Sequence, residues 1–313
     1  MTTSVTQDAV FAGGVAGLGR FPVDLGDLWR QALGLLRGAE LDNVENEVTW
    51  LLEYALGISR TQLCCEPDRR IGRQDAERAL ELLTRRARRE PLQYLMGTQE
   101  FFGLDFAVTP AVLIPRVDTE VLVEEALCVV KDMDESVVAD VGTGTGCIAI
   151  SIAAAAPRSQ VWATDLSAAA LEVTRENCRR HRVGHRVTCL EGDLLEPLGR
   201  IGLEGRIDIV LSNPPYIGDG EWNDLQPEVS RFEPRLALAG GPDGLAVHRR
   251  LVRAASFFLR PRGWLLMEVG AGQAEAVVCL LTAHGAYESI RARRDRAGIE
   301  RVVCARTRST APR

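Results

Sequence analysis

The strongest constraint on the fold is an alternation of strand-like and helix-like apolar segments that begins at Ser136 and continues almost to the end of the chain. Short runs rich in β-branched residues alternate with segments of helical spacing. Repeated units of this kind predict an α/β fold with a mostly parallel sheet and helices on both faces. The predicted strands are Val137–Val141, Gln160–Thr164, Arg186–Leu190, Ile207–Leu211 and Trp264–Val269 before two closing strands, and the predicted helices are Gly146–Ala156, Ala168–His181, Leu245–Leu259 and Ala271–His284.

The chain before this alternation has a different pattern. Residues 1–22 contain several glycines and no sustained period, so a flexible leader is predicted there. Apolar residues then recur at helical spacing in Leu25–Leu36, Glu45–Leu56 and Gln74–Arg89. These segments predict a small helical domain over residues 23–98, which is a suitable place to recognise a protein substrate.

A β-hairpin is predicted between the two parts of the chain. Gln99–Pro110 alternates around Gly103, and we assign it to a linker over residues 99–117. The acidic residues in Asp118-Thr-Glu120 suit the positive end of a helix that continues to Val130. The second domain is therefore predicted to span residues 118–313.

Composition narrows the classes of function. A net charge of −6 over 313 residues argues against an extended nucleic-acid footprint, and the arginine clusters at 85–89 and 291–296 are interpreted as solvated faces. The eight cysteines have no C-x-x-C spacing and do not cluster with the four histidines, so no metal site is expected. No secretory signal and no apolar run of about 20 residues is found, so we expect a cytoplasmic protein without a membrane partner.

The stretch Ser212-Asn-Pro-Pro-Tyr-Ile217 follows the predicted strand Ile207–Leu211. Proline restricts both its own backbone and that of the residue before it, and it has no N–H to donate, so the stretch is stiff and rich in acceptors. An amide or amino nitrogen becomes a better nucleophile when acceptors hold its two hydrogens. The Asn213 side chain and the Pro214 carbonyl can supply those acceptors, and Tyr216 offers a flat wall. Taken alone, the stretch is equally compatible with a simple loop.

A glycine-rich turn, Gly142-Thr-Gly-Thr-Gly146, follows the first strand of the predicted sheet and opens a helix. Glycine lets a ligand approach the backbone. Because position 147 is Cys, the spacing differs from a dinucleotide fingerprint, and with Asp140 two residues ahead it resembles motif I of the S-adenosylmethionine-dependent methyltransferases. In that class the turn receives the amino-acid end of the cofactor.

Two further acids follow the next strands. Asp165 ends the second strand about twenty residues after the glycines, where a carboxylate can accept hydrogen bonds from ribose hydroxyls. Asp193 follows the third strand, in position to meet the adenine amino group. With Asn213 after the fourth strand, methyl donor and acceptor would share one edge of the sheet.

Together these segments resemble the bacterial release factor glutamine methyltransferases, the PrmC/HemK family, from about Leu25 to Arg306. The matching segments are Glu90–Gly97, Phe101–Leu104, Val112–Arg116, Gly142–Gly146, Asn213–Ile217, Phe232–Pro234, Gly240–Leu245 and Glu268–Gly270. The family modifies the glutamine of the Gly-Gly-Gln loop in class 1 peptide chain release factors.

The resemblance implies a class I methyltransferase-like Rossmann sheet preceded by the helical domain. It also implies S-adenosylmethionine as cofactor and release factors as partners. The implied cofactor contacts are Gly142, Thr143, Gly144, Thr145, Gly146, Asp165, Asp193, Leu194 and Asn213. The implied substrate contacts are Asn213, Pro214, Pro215 and Tyr216, with Asn213, Pro214 and Tyr216 as the catalytic group.

Two departures from the family pattern leave the substrate open. Val117 and Asp118 stand where the family usually has Pro and Glu, and its acidic, leucine-rich helix appears here as Asn43–Trp50. A paralogue acting on an amide or amine of another protein or a small metabolite is the main alternative. A DNA adenine methyltransferase could also use Asn-Pro-Pro-Tyr, but no basic, aromatic-rich reading segment is found.

Overall fold

The computed structural model describes residues 21–309, so nearly all of the predicted leader lies outside the described residues. The chain divides into two compact units between Gly97 and Thr98.

The first unit is helical. Its core is built from the apolar faces of three long helices, for which the sequence predicted Leu25–Leu36, Glu45–Leu56 and Gln74–Arg89. The remaining helices are too short to show a period in the sequence. The elements are β1 Val23–Asp24, α1 Leu25–Arg37, α2 Val44–Leu56, α3 Arg60–Cys65, β2 Arg70–Ile71, α4 Arg73–Ala87 and α5 Leu92–Met96.

One buried ion pair links two of these helices. The Arg86 guanidinium on α4 donates two hydrogen bonds to the Glu47 carboxylate on α2, over 2.6 and 3.1 Å. Both side chains are largely shielded from solvent. Removing one partner would leave a buried charge uncompensated, so the pair fixes how α2 and α4 pack.

The second unit contains the predicted hairpin and the α/β sheet. Its strands are β3 Thr98–Phe101, β4 Leu104–Ala107, β5 Ser136–Val141, β6 Ser159–Asp165, β7 Val187–Glu191, β8 Ile207–Ser212, β9 Ile217–Gly218, β10 Ala239–Gly241, β11 Leu259–Glu268, β12 Tyr287–Arg294 and β13 Glu300–Thr307. Its helices are α6 Glu120–Val130, α7 Cys147–Ala155, α8 Ala168–Arg180, α9 Glu196–Gly199, α10 Pro227–Phe232, α11 Ala246–Phe258 and α12 Ala274–His284.

Seven of these strands form one sheet in the order β12-β13-β11-β8-β5-β6-β7. The strands from β11 to β7 run parallel, and β13 is antiparallel to both β11 and β12. Neighbouring residues of a strand enter opposite cores: Leu266 packs with α6 and α7, whereas Leu265 packs with α11 and α12. The predicted α/β fold is confirmed.

The predicted boundary between the helix and the strand at Leu259 is wrong. The helix was expected to continue through Leu259 and the next strand to begin at Trp264, whereas β11 already begins at Leu259. The pairing of β11 with β8 shifts register between Leu259 and Trp264, so an irregular segment with three exposed residues interrupts the apolar pattern.

Parallel order brings the ends of β5, β6, β7, β8 and β11 to one edge of the sheet, which is where ligands bind in open α/β folds. Among residues 21–309, no helix has the length and apolar character needed to cross a membrane.

Candidate active site

Hydrogen bonds from successive backbone N–H groups hold the glycine-rich turn in place. The N–H groups of Gly142 and Thr143 both donate to the Thr164 carbonyl, over 2.8 and 3.0 Å. The N–H of Gly144 donates to the Asp165 carboxylate over 2.9 Å. The Gly142 carbonyl, in contrast, accepts no hydrogen bond from the described residues. The turn therefore offers acceptors to a ligand, which suits a cationic group rather than a pyrophosphate.

Asp140, the acid two residues ahead of the turn, is completely buried. Its Oδ2 accepts hydrogen bonds from the Thr143 hydroxyl over 2.6 Å and from the Ala149 N–H over 3.2 Å. Burial raises the pKa of Asp140 to about 7. This carboxyl connects β5, the turn and α7 from inside the fold and does not line the cavity.

Asp165 holds two segments at once. Its Oδ2 accepts the hydrogen bond from Gly144, and its Oδ1 accepts one from the Ser167 N–H over 2.9 Å. The Ser167 hydroxyl then caps α8 by accepting from the Ala170 N–H. Each carboxylate oxygen keeps a second lone pair, so Asp165 can still accept hydrogen bonds from a ligand in the cavity.

Asp193 is not isolated in the loop after β7. Its carboxylate forms an ion pair with the Arg250 guanidinium on α11, a partner that the sequence reasoning missed. The adjacent Leu194 has a φ of 50° and its carbonyl accepts a hydrogen bond from the Thr164 hydroxyl over 2.8 Å. The ion pair thus fixes this wall of the cavity against α11.

Asn213 lies just beyond the end of β8. Its side-chain Nδ2 donates to the Thr119 hydroxyl over 3.2 Å, while its Oδ1 accepts no hydrogen bond from the described residues. Pro214 is buried, and the Pro214 carbonyl likewise has no donor among the described residues. Two acceptors therefore lie next to each other in the sequence without a competing donor.

Tyr216 is packed tightly behind this stretch. The Gln273 side chain donates from Nε2 to the Tyr216 carbonyl over 2.9 Å. A Cβ built on Gly244 would lie 2.3 Å from the same carbonyl, so only glycine fits there. Burial raises the pKa of Tyr216 to about 12, so its phenol stays neutral at physiological pH.

A cavity of about 250 Å³ lies at this edge of the sheet. A larger, more open depression of about 670 Å³ contains Asp193 and Leu194 but neither the glycine turn nor Asn213, so the smaller cavity is the candidate site. Of the predicted site residues, Thr145, Gly146, Pro214 and Tyr216 do not line it. Those that do are Gly142, Thr143, Gly144, Asp165, Asp193, Leu194, Asn213 and Pro215.

Two family models match the chain: one described as PrmC N-terminal domain, over residues 27–97, and one described as Methyltransferase small domain, over residues 117–226. The chain is 46% identical to the release factor glutamine methyltransferase of Geobacter sulfurreducens over 270 residues, 86% of this chain and 92% of that protein. It is 44% identical to the one of Moorella thermoacetica over 282 residues, 88% of this chain and 97% of that protein. The chain belongs to the release factor glutamine methyltransferases.

Solved structures agree on the fold of this methyltransferase. The hMettl16 catalytic domain in complex with MAT2A 3'UTR hairpin 1 matches with a TM-score of 0.54 and 14% identity, over 76% of this chain and 83% of that chain. The complex with hairpin 6 gives a TM-score of 0.53 and 15% identity, over 76% and 84% of the two chains. At this identity the likeness concerns the fold alone.

S-adenosylmethionine is the cofactor of this methyltransferase. The residues of the cavity fit it, because the open Gly142 carbonyl and the Asp165 carboxylate are acceptors for an ammonium group and for hydroxyls. A Cβ on Gly142 would meet no atom within 4 Å, so the backbone can be approached at this point of the wall.

Three segments matched the family pattern in sequence but had no predicted role. They are the segments that contain Arg116, Glu233 and Glu268, and all three lie near the Asn213 stretch of this methyltransferase. Arg116 forms an ion pair with the buried Glu233, which also accepts a hydrogen bond from the Ile114 N–H over 3.3 Å. Burial raises the pKa of Glu233. Glu268, at the end of β11, is buried beside Thr119. The sequence motifs showed that these segments matter, but not what their side chains contact.

Proposed function

We propose that this chain transfers a methyl group from S-adenosylmethionine to the side-chain amide nitrogen, N5, of the glutamine in the Gly-Gly-Gln loop of class 1 peptide chain release factors. The names of its relatives support release factor glutamine as the acceptor. The observation that carries the proposal is the arrangement of the Asn213 side chain. Its Nδ2 donates a hydrogen bond to the Thr119 hydroxyl, so its Oδ1 is left to accept a hydrogen bond from a ligand in the cavity.

The chain's task is to orient a poor nucleophile. The lone pair of an amide nitrogen is delocalised, so the nitrogen reacts only when it is held close to the electrophile and turned correctly. Asn213 Oδ1 accepts one amide hydrogen of the glutamine and the Pro214 carbonyl accepts the other. When bound, S-adenosylmethionine supplies an electrophilic methyl group on a sulfonium. No strong base is needed, because the proton leaves after the nitrogen has become cationic.

The remaining cavity residues hold the cofactor and shape the site. The Gly142 carbonyl accepts from the cofactor's ammonium group, Asp165 accepts from its ribose, and Asp193 with Leu194 borders its adenine. Pro215 lines the acceptor side of the cavity, and the neutral Tyr216 provides an apolar wall behind the Asn213 stretch. The other two predicted contacts, Thr145 and Gly146, do not line the cavity, and their role is to support the turn from its buried side.

The helical unit is proposed to recognise the release factor. On α2, Trp50 and Tyr54 are four residues apart on one face of the helix, and they are 39% and 52% exposed. Exposed aromatic residues are frequent anchors of protein interfaces. Trp50→Ala should raise KM for the release factor and leave kcat nearly unchanged, whereas an equal loss of kcat would contradict a role in recognition.

The test of the proposed function is methylation of a purified class 1 release factor with labelled cofactor, read by mass spectrometry of the loop peptide. The control is the same release factor with its loop glutamine replaced by glutamate, which has no amide nitrogen. Label on the glutamine peptide and none on the control supports the proposal. Label on a different residue or protein would leave the chemistry standing and remove the substrate assignment.

A further inference from the structure

A buried carboxyl that the proposed chemistry does not use lies beside Asn213. Glu268 is the last residue of β11, and its neighbour Met267 pairs with Ser212, so Glu268 falls level with Asn213 across the two strands. Glu268 is only 2% exposed to solvent. Its Oε2 is buried and has no hydrogen-bond partner among the described residues. A buried polar atom in this condition is costly and calls for a reason.

Thr119 joins this carboxyl to Asn213. The Thr119 hydroxyl accepts a hydrogen bond from Asn213 Nδ2 over 3.2 Å, and it lies close enough to the Glu268 carboxyl to lower the pKa of Glu268 as a donor. A hydroxyl has one hydrogen to donate. When that hydrogen goes to the Glu268 carboxylate, only a lone pair is left for Asn213, and the amide must present its NH2 group to Thr119. Its Oδ1 then faces away from Thr119.

We propose that Glu268 is a positioning residue for methyl transfer, which acts through the Thr119 hydroxyl to fix the side-chain amide of Asn213 with its oxygen towards the acceptor. The acceptor's identity rests on the proposed function. The orientation of Asn213 does not depend on it, because all three side chains belong to this chain.

A purely structural role for Glu268 accounts poorly for its position. Burial raises its pKa to about 7, far above the ordinary value of a carboxyl. Since the folded state then binds the proton more tightly than the unfolded state, the carboxyl makes the protein less stable as pH rises from about 4 to about 7. A residue kept for stability alone would be better apolar.

The charges around Glu268 oppose one another. Arg301 on β13 and Arg116 lower the pKa of Glu268, Asp118 raises it, and Tyr216 and Cys147 face it as neutral groups. On the side of α11, the His248 ring is hydrogen-bonded to the backbone of Glu268 and not to its carboxyl. The distance from His248 Nε2 to the Glu268 carbonyl oxygen is 2.8 Å. None of these groups compensates the burial completely.

Protonation of Glu268 therefore changes the relay. A protonated carboxyl can donate to the Thr119 oxygen, which frees the hydroxyl hydrogen to bond to Asn213 Oδ1. The acceptor oxygen is then turned away from the substrate. Turnover should fall as pH falls through about 7, the pKa to which burial raises Glu268.

The first experiment compares Thr119→Val, Thr119→Ser and Glu268→Gln with the parent chain on a release factor. Thr119→Val keeps the shape and removes the hydroxyl, so kcat should fall about tenfold, as the loss of one hydrogen bond predicts. Thr119→Ser should restore most of it. KM for the release factor and the calorimetric Kd of S-adenosylmethionine should change much less than kcat, since both variants leave the Gly142 carbonyl and the Asp165 carboxylate in place. Parent-like kcat in Thr119→Val, or no recovery in Thr119→Ser, would overturn the proposal.

A second readout needs no methyl acceptor. The chain has five asparagines, so the side-chain amide signal of Asn213 can be followed by NMR in protein labelled with ¹⁵N-asparagine and assigned by its loss in Asn213→Asp. In the parent this signal should shift with a midpoint near pH 7, the pKa of Glu268. It should not do so in Glu268→Gln or Thr119→Val.

The two readouts separate the two ideas. If the parent does not methylate a release factor but the Asn213 signal titrates as expected, the proposed substrate is wrong and the positioning role stands. If the signal is independent of pH in the parent, the positioning role is wrong whatever the substrate.

Discussion

Replacing Gly142 by alanine tests whether the turn after β5 receives the cofactor. Gly142 has a φ of 73°, and a methyl group there would stand in open space at the cavity wall. Gly103, in the turn between β3 and β4, has the same φ of 73° and also meets nothing within 4 Å. It does not line the cavity. The two substitutions therefore impose a similar backbone strain, and only Gly142 lines the cavity.

Both variants should lose stability through the same backbone strain. Alanine in the left-handed region costs roughly 1–2 kcal/mol, which lowers the melting temperature of a unit of this size by roughly 2–8 °C. Only Gly142→Ala should also lose affinity for the cofactor. Blocking one charge-assisted hydrogen bond to the Gly142 carbonyl costs about 1.5–3 kcal/mol, which weakens Kd by roughly 10- to 150-fold.

The assay is isothermal titration calorimetry with S-adenosylmethionine for both variants and the parent, together with thermal melts. Gly103→Ala should bind like the parent. If Gly142→Ala binds equally tightly, or if both variants lose affinity to the same extent, the assignment of this turn to the cofactor is wrong.

Other substitutions test the neighbouring contacts. Asp165→Ala should weaken cofactor binding by roughly 1.5–3 kcal/mol and also lower the melting temperature, because its carboxylate holds Gly144 as well; unchanged affinity in calorimetry would move the ribose elsewhere. The pKa of Asp140 is raised to about 7, so the melting temperature of the parent should fall as pH rises from about 4 to about 7, and Asp140→Asn should reduce that slope to the part that Glu268 contributes. A parent that melts independently of pH in this window would contradict the raised pKa. Gly244→Ala should lower kcat at least about tenfold by displacing the Tyr216 carbonyl, whereas Gly272→Ala, with similar backbone and open space, should not; equal rates in the two would show that the carbonyl's position does not matter.

Local patterns made most of the fold predictable. The strands β5 to β8 are short apolar runs with few alternatives, and each candidate polar residue was placed correctly by the end of its strand: Asp165 ends β6 and Asn213 follows β8. The turn at Gly142 was recognised because glycine spacing is a local property. The sheet order follows from the rules for parallel connections.

Contacts between distant residues could not be predicted in the same way. Asn213 and Thr119 are 94 positions apart, and Asp193 and Arg250 are 57 apart. No periodicity links such pairs, since each joins a loop at the edge of the sheet to an element that is distant in the sequence. Apart from its place in a family motif, nothing in the sequence indicated a role for Glu268. The proposed role depends on the burial of its side chain, which is seen only when β11 is placed beside β8.

Methylation of a release factor by Asn213→Ala tests the central claim most directly. Asn213→Ala removes the side-chain acceptor and leaves the cofactor cradle in place, and Asn213→Asp keeps an oxygen but adds a charge. We predict that turnover of Asn213→Ala on the Gly-Gly-Gln loop falls by at least about a hundredfold, as the loss of one preorganised polar group does, with a much smaller change in cofactor affinity and a milder loss for Asn213→Asp. Turnover of Asn213→Ala at the parent rate would contradict the catalytic role of this stretch.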